Sequence, residues 1–253
     1  MKLSATPIAP GDRVRATGWV TATDHLVRFA PKAPSGSVSQ GARRAWPRPA
    51  PTLGIEVVGV DLTELSDRSS IGQSVRGSAF LAGKWDGRRL HVDEQHEHRP
   101  EPSHLPRHTV PPCGAPIEGW PRGAREDAYV HSSRWLADER VVFMAWFHPS
   151  STQAVLVVAA DDAGALETEM RSEFGHFLCV VHSRWPRRQV DATLNTMVEL
   201  ASTWRIYDLS QGLGSDGQVV LTAFVEHLEP EFVRWAQAVP DELLQVSVWL
   251  TRV

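Results

Sequence analysis

Five histidines fall within 18 residues, His91, His96, His98, His104 and His108, with Glu94 and Glu97 among them and Cys113 shortly after. Imidazole and thiolate are transition-metal ligands, and the His96-Glu97-His98 triplet can send two rings to one side of an extended segment. Zinc is the ion such a set would take, with His96, His98, His104, His108 and Cys113 as candidate ligands. A zinc-bound water would then support metal-assisted hydrolysis. Two observations weigh against it: the spacing matches no zinc pattern, and a flexible segment must lose entropy to gather its ligands. A solvated linker rich in His and Pro is the competing reading.

Nucleophiles are no better placed. Ser150, Ser151 and Thr152 follow His148-Pro149, and His182-Ser183 ends an apolar run, but neither group sits in a G-x-S-x-G elbow or an S-x-x-K arrangement. Asp161-Asp162 follows a strand-like run, where α/β folds often bind ligands; helix capping accounts for both carboxylates as well. There is no G-x-x-x-x-G-K-[ST] loop, and no G-x-G-x-x-G opens a helix. Nucleotide-dependent chemistry is disfavoured, and so is an enzyme.

A binding surface is the other possibility. Arg43, Arg44 and Arg48 surround Trp46 in a stretch dense in Pro, Gly and Ser, and Trp85 lies in a second basic segment, KWDGRR. Cations beside aromatic rings suit an anionic partner, and on a small barrel they suit single-stranded nucleic acid. The charge is divided accordingly. Residues 1–95 hold 13 Lys and Arg against 9 Asp and Glu, a net of +4, and residues 96–253 hold 13 against 21, a net of −8. Neither value reaches the density of a dedicated nucleic-acid binder, but opposite signs favour distinct partners or mutual contact.

The elements that must position these residues fall into two halves. Residues 12–30 read as one strand or a loose hairpin, Ile55–Leu62 as a strand, and residues 75–95 as a hairpin turning at Asp86-Gly87. Four or five short strands with Gly-rich joints fit a small barrel of OB or SH3-like type. Residues 96–126 hold seven prolines and form a connector. From Arg140 the order is β-β-α-β-α-β-β-α-β, with Leu166, Met170 and Phe174 on one helix face and Val190, Leu194, Met197, Val198 and Ala201 on the next. The run from Leu243 to Val253 alternates as a single strand. Together these predict an α+β protein: a barrel-like module over 1–95, a connector over 96–126, and over 127–253 a mixed sheet with helices on one face. Cys179, inside FLCVV, reads as a small buried core residue, and a bridge to Cys113 is open but unsupported. No apolar run approaches the length of a membrane span and no signal-peptide core opens the chain, so a cytoplasmic location is expected.

The segments KWDGRRLHV, PPCGAPIEGWP, FLCVVHSRW and DGQVVLTAFVE resemble a group of uncharacterised proteins of high-GC Gram-positive bacteria, over most of the chain from about residue 52. That resemblance transfers no catalytic residue. The order strand, helix, FLCVVHS strand, Pro-initiated helix and WRIYDL strand is similar to the pro-segments of bacterial trypsin-like proteases, small α/β chaperone or inhibitor modules, which implies an interaction role. The expectation is therefore a non-enzymatic binding protein with no cofactor, most simply for a protein partner. The alternatives are a metal-assisted hydrolase and single-stranded nucleic-acid binding by residues 1–95.

Overall fold

Alternating side chains build the first strand of the computed structural model, which describes residues 6–31, 54–98, 110–116, 119–120 and 132–253. Arg43, Arg44, Trp46, Arg48, His104 and His108 lie outside the described residues. In β1 (Arg13–Thr23), Val14, Ala16, Gly18, Val20 and Ala22 are buried, while Arg13, Arg15, Thr17, Thr21 and Thr23 face out. A tight turn returns the chain in β2 (Leu26–Ala30), so the expected hairpin is present. Then come β3 (Ile55–Val58), β4 (Ser66–Ile71), β5 (Ser74–Trp85) and β6 (Arg89–Glu97). Gly87, at φ 99°, supplies the left-handed position that the β5–β6 turn needs.

Five of these strands close on themselves. The order is β1-β2-β3-β6-β5 and back to β1, with β3 and β6 parallel and the other pairs antiparallel. β1 and β5 run in register from Arg13 opposite Lys84 to Ala22 opposite Val75. Val14, Val20, Phe29, Ile55, Val57, Leu81, Trp85 and Leu90 fill the interior. Closure removes most of the open edge of those strands, β13 and β4 pair with parts of β1 and β5 that it leaves, and the dry interior supplies the main stabilising term. β4 hydrogen-bonds to the outer edge of β5 and is polar and mostly exposed, with no apolar alternation to announce it.

The second unit, His104–Thr196 with Gln211–Leu221, is built on a different sheet. β7 (Val141–Ser150) and β8 (Gln153–Ala160) form a hairpin, α1 (Ala163–Phe174) crosses over, and β9 (Leu178–His182) lies parallel to β8. Asp162 caps α1 by accepting from the Ala165 N–H at 3.3 Å, and Leu166, Met170 and Phe174 pack on one side of the sheet. α2 (Arg187–Glu199) follows, its Val190 fully buried. Against expectation, Cys113 and Cys179 form a disulfide with Cα atoms 5.9 Å apart. Cys179 is indeed buried, beside Phe147, Val155 and Val157, but its sulfur is bonded to Cys113. No local signal in the connector could reveal a bond across 66 residues.

The remaining elements correct the expected layout. β10 (Ile206–Leu213), β11 (Val219–Val225) and β12 (Leu244–Val248) form their own three-stranded sheet, so the second half holds two small sheets and not one mixed sheet. α3 (Pro230–Ala236) begins at its proline as expected and carries Phe232 and Trp235 against Trp204, with centroids at 5.4 and 4.8 Å. The last strand breaks at Trp249-Leu250, whose N–H groups turn to the carbonyls of Val225 and Glu226. Its continuation, β13 (Thr251–Arg252), pairs with β1. The first unit is thus Met1–Ser103 with Met197–Ser210 and Thr222–Val253.

Candidate anion-binding site

The Asp86-Gly87 turn positions the first functional side chain. Asp86 Oδ1 accepts from the N–H groups of Arg88 and Arg89 at 2.8 and 2.7 Å, and Oδ2 pairs with His91 Nε2 at 2.9 Å. Hydrogen bonds from the Arg89 N–H, from His91 and from the Arg88 N–H hold the carboxyl down to about 2. A lowered carboxylate favours the ordered turn above its ordinary range near 4, and that contribution disappears only as pH falls toward 2. The amide resonances of Arg88 and Arg89, followed from pH 6 to 1.5, are therefore expected to hold their positions through pH 4 and move near 2. A transition centred on 4 would contradict the bonding described.

Arg88 extends from this turn into a hollow of about 390 Å³ lined by Leu26, Arg28, Gly54, Ile55, Glu56 and Arg205 as well. Arg28, on β2, donates from Nη2 to the Gly54 carbonyl at 2.9 Å. Glu56, its partner across the β2–β3 pair, is held by Arg89 Nε at 2.9 Å. Arg205 arrives from the segment after α2 with φ 55°, unusual for a residue with a side chain. Its carbonyl accepts from the Glu226 N–H at 2.9 Å, and its Nη2 lies 2.5 Å from Glu226 Oε1. Glu226 is 4% exposed, so a buried carboxylate fixes the guanidinium. Next in the chain, His227 Nε2 lies 2.9 Å from Glu229 Oε1.

Three guanidiniums against one carboxylate leave the hollow electropositive. Arginine's planar fork suits oxyanions with several acceptor oxygens, such as phosphate, sulfate or carboxylate. Among the described residues of the lining none is arranged as nucleophile and base.

The residues singled out from sequence are placed differently. Trp85 is 4% exposed and belongs to the barrel core, with its ring 6.0 Å from that of His227, so it is not a surface contact. Its position opposite Leu90 faces it inward. His96 pairs with Glu94 at 2.9 Å, and the His98 carbonyl accepts from Ser78 Oγ at 2.7 Å. Cys113 has no thiolate to offer a metal, because its sulfur is in the disulfide. Among the described residues no three His, Cys, Asp or Glu side chains converge as a metal site. Of the hollow, only Arg88 stood beside a sequence signal, the Asp-Gly turn; Arg28, Glu56 and Arg205 come from segments with none. A smaller hollow of about 200 Å³ in the second unit is lined by Cys113, Trp120, Glu167, Arg171 and His176, where Arg171 is paired with Glu167. No protein-family model, curated protein or solved structure matches this chain.

Proposed function

We propose that this chain is a non-enzymatic binding protein whose barrel, of the OB type, takes an anionic group in the arginine-lined hollow. The observation that carries the reading is the convergence of Arg28, Arg88 and Arg205 around one concavity. The strained backbone of Arg205, held by the buried Glu226, adds to it, because such strain concentrates where a side chain must be aimed. The barrel order, with a parallel β3–β6 pair closing an otherwise antiparallel circuit, supports the OB alternative over the SH3-like one. The disulfide favours an oxidising setting over the cytoplasm expected from sequence. No helix among the described residues is long and apolar enough to cross a membrane.

Sodium tripolyphosphate is the probe, and thermal melting of the full chain is the readout. At a hundredfold excess over its dissociation constant, a ligand that binds only the folded state adds about 2.7 kcal/mol, enough to raise the melting temperature by several degrees. Arg88→Glu should abolish that rise without lowering the melting temperature of the free protein, because Arg88 is an exposed turn residue. Arg88→Lys, which keeps the charge and loses the fork, should retain part of it. An unchanged melting temperature in the wild type, or an equal rise in Arg88→Glu, overturns the reading.

A further inference from the structure

The strand registers connect the hollow to a second group of side chains. Around the outside of the barrel Arg76 on β5 lies opposite Thr21 on β1, Thr21 opposite Arg28 on β2, Arg28 opposite Glu56 on β3, and Glu56 opposite Arg89 on β6. Arg28 lines the hollow, so Arg76 stands two strands away in the same lateral row. Beside that row are exposed or half-exposed rings. The Arg76 guanidinium sits 4.8 Å over the ring of Trp19. Phe80 and His96, opposite one another on β5 and β6, are stacked at 5.7 Å with planes 27° apart. Trp19 is opposite Ser78 and Phe80 opposite Thr17, so the two rings are diagonal neighbours across the β1–β5 pair, about 7 Å apart at their backbones.

Resting on the anion-binding reading of the hollow, we propose that the outer wall of the barrel from Arg28 across β1 to Phe80 and His96 binds single-stranded nucleic acid. Phosphates would follow Arg28 and Arg76, and unpaired bases would stack on Trp19 and on the Phe80–His96 pair. The chemistry is specific in two respects. Arg15 and Arg76 have no ion-pair partner among the described residues, so their charge is available to a polyanion. Trp19 and Phe80 are half-exposed and His96 is exposed, and aromatic rings accept a nucleobase whatever its sequence. An acidic polypeptide would use the guanidiniums and leave Trp19, Phe80 and His96 without partners. A duplex would hide the base faces that the rings require.

The test is fluorescence anisotropy of a fluorescein-labelled oligodeoxythymidylate of 15 nucleotides, titrated with the full chain in 50 and 200 mM NaCl. Binding is expected at 50 mM salt and should weaken roughly twentyfold at 200 mM, from about three phosphate contacts to a single strand. Phe80→Ala and Trp19→Ala should each weaken it roughly tenfold, and Arg76→Ala should flatten the salt dependence. Melting curves of the same variants show whether they fold, and Phe80→Leu, which fills the same space without a ring, serves where Phe80→Ala does not. A duplex of equal length should bind more weakly, and polyglutamate should fail to displace the oligonucleotide at equal charge. No binding of the single strand, tighter binding of the duplex, equal displacement by polyglutamate, or folded ring variants with unchanged affinity each overturns the proposal. If tripolyphosphate still raises the melting temperature and Arg88→Glu still removes that rise, the hollow stands and only the nucleic-acid path fails.

Discussion

Replacing Cys113 and Cys179 together by alanine is expected to destabilise the second unit by about 4 kcal/mol, the chain-entropy value for a bridge closing a loop of this length. The bridge ties the Pro-rich connector to the start of β9, where Cys179 lies opposite Val157 of β8, a strand whose residues are almost all buried. Without it the unfolded chain recovers the freedom of the intervening residues, while the native state keeps the packing of Trp120 on the cluster of Phe147, Val155 and Val157 and the hydrogen bond from Gln153 Nε2 to the Trp120 carbonyl. Amide exchange of Val155–Val158 reports the loss directly. Protection of these strand amides should fall about a thousandfold, which is the same 4 kcal/mol at 1.4 per decade. Reduction of the wild type should reproduce most of that change. A fall of less than tenfold in both experiments would show that the connector is held by its packing alone.

The second large effect concerns a single methyl group. Gly83 lies on β5 at the bulge where its pairing with β6 shifts between Ala82 and Gly83. A Cβ there would meet the His91 carbonyl oxygen at 2.0 Å and its carbon at 2.8 Å. Gly→Ala at an ordinary strand φ stabilises a protein by about 0.4–1 kcal/mol through the unfolded state. Here the obstacle is backbone of the partner strand, which cannot rotate away, and moving it opens the β5–β6 side of the barrel. Gly83→Ala should therefore destabilise the first unit by about 3 kcal/mol, with the opposite sign to the usual effect. Urea unfolding compares it with Gly212→Ala, on β10, where no heavy atom lies within 4 Å of a Cβ and the backbone is not left-handed. Equal midpoints for the two variants would contradict the close approach of β5 and β6.

What was legible in the sequence is what neighbouring residues determine. The alternation of β1, the Asp86-Gly87 turn, the helix face of Leu166, Met170 and Phe174, and the proline at the start of α3 are all local, and all are present. β4 was not legible because SDRSSI carries no apolar side to bury; it is a strand because β5 presents an edge to it. The alternation from Leu244 to Leu250 suggested one strand, since period alone does not show that Trp249 and Leu250 turn from one sheet to another. The hollow was illegible for the same reason. Its cations come from β2, the β5–β6 turn and the segment before β10, 60 and 117 residues apart along the chain, and only strand closure brings them together. Trp85 shows the converse. Beside Lys84, Arg88 and Arg89 it suggested a binding residue, but the pleat turns it inward while its charged neighbours face water.

The pairing of β13 with β1 has a consequence for biosynthesis. Val14 and Arg15 pair with β5 on one edge, but on the other they find a partner only when Thr251 and Arg252 have left the ribosome, and Trp249 donates to the Thr17 carbonyl at 2.6 Å on the same schedule. At 5–20 residues per second, the roughly 150 residues after β6 take about 10–30 s to synthesise. The barrel strands can close in that interval, and the disulfide unit can form and oxidise, while this stretch of β1 still presents unpaired N–H and C=O groups. A nascent chain in that state carries a ready template for a stray strand. Asp12 and Arg13, at the head of β1, keep the exposed edge charged until its partner arrives, and Asp12 then pairs with Arg252 at 3.2 Å.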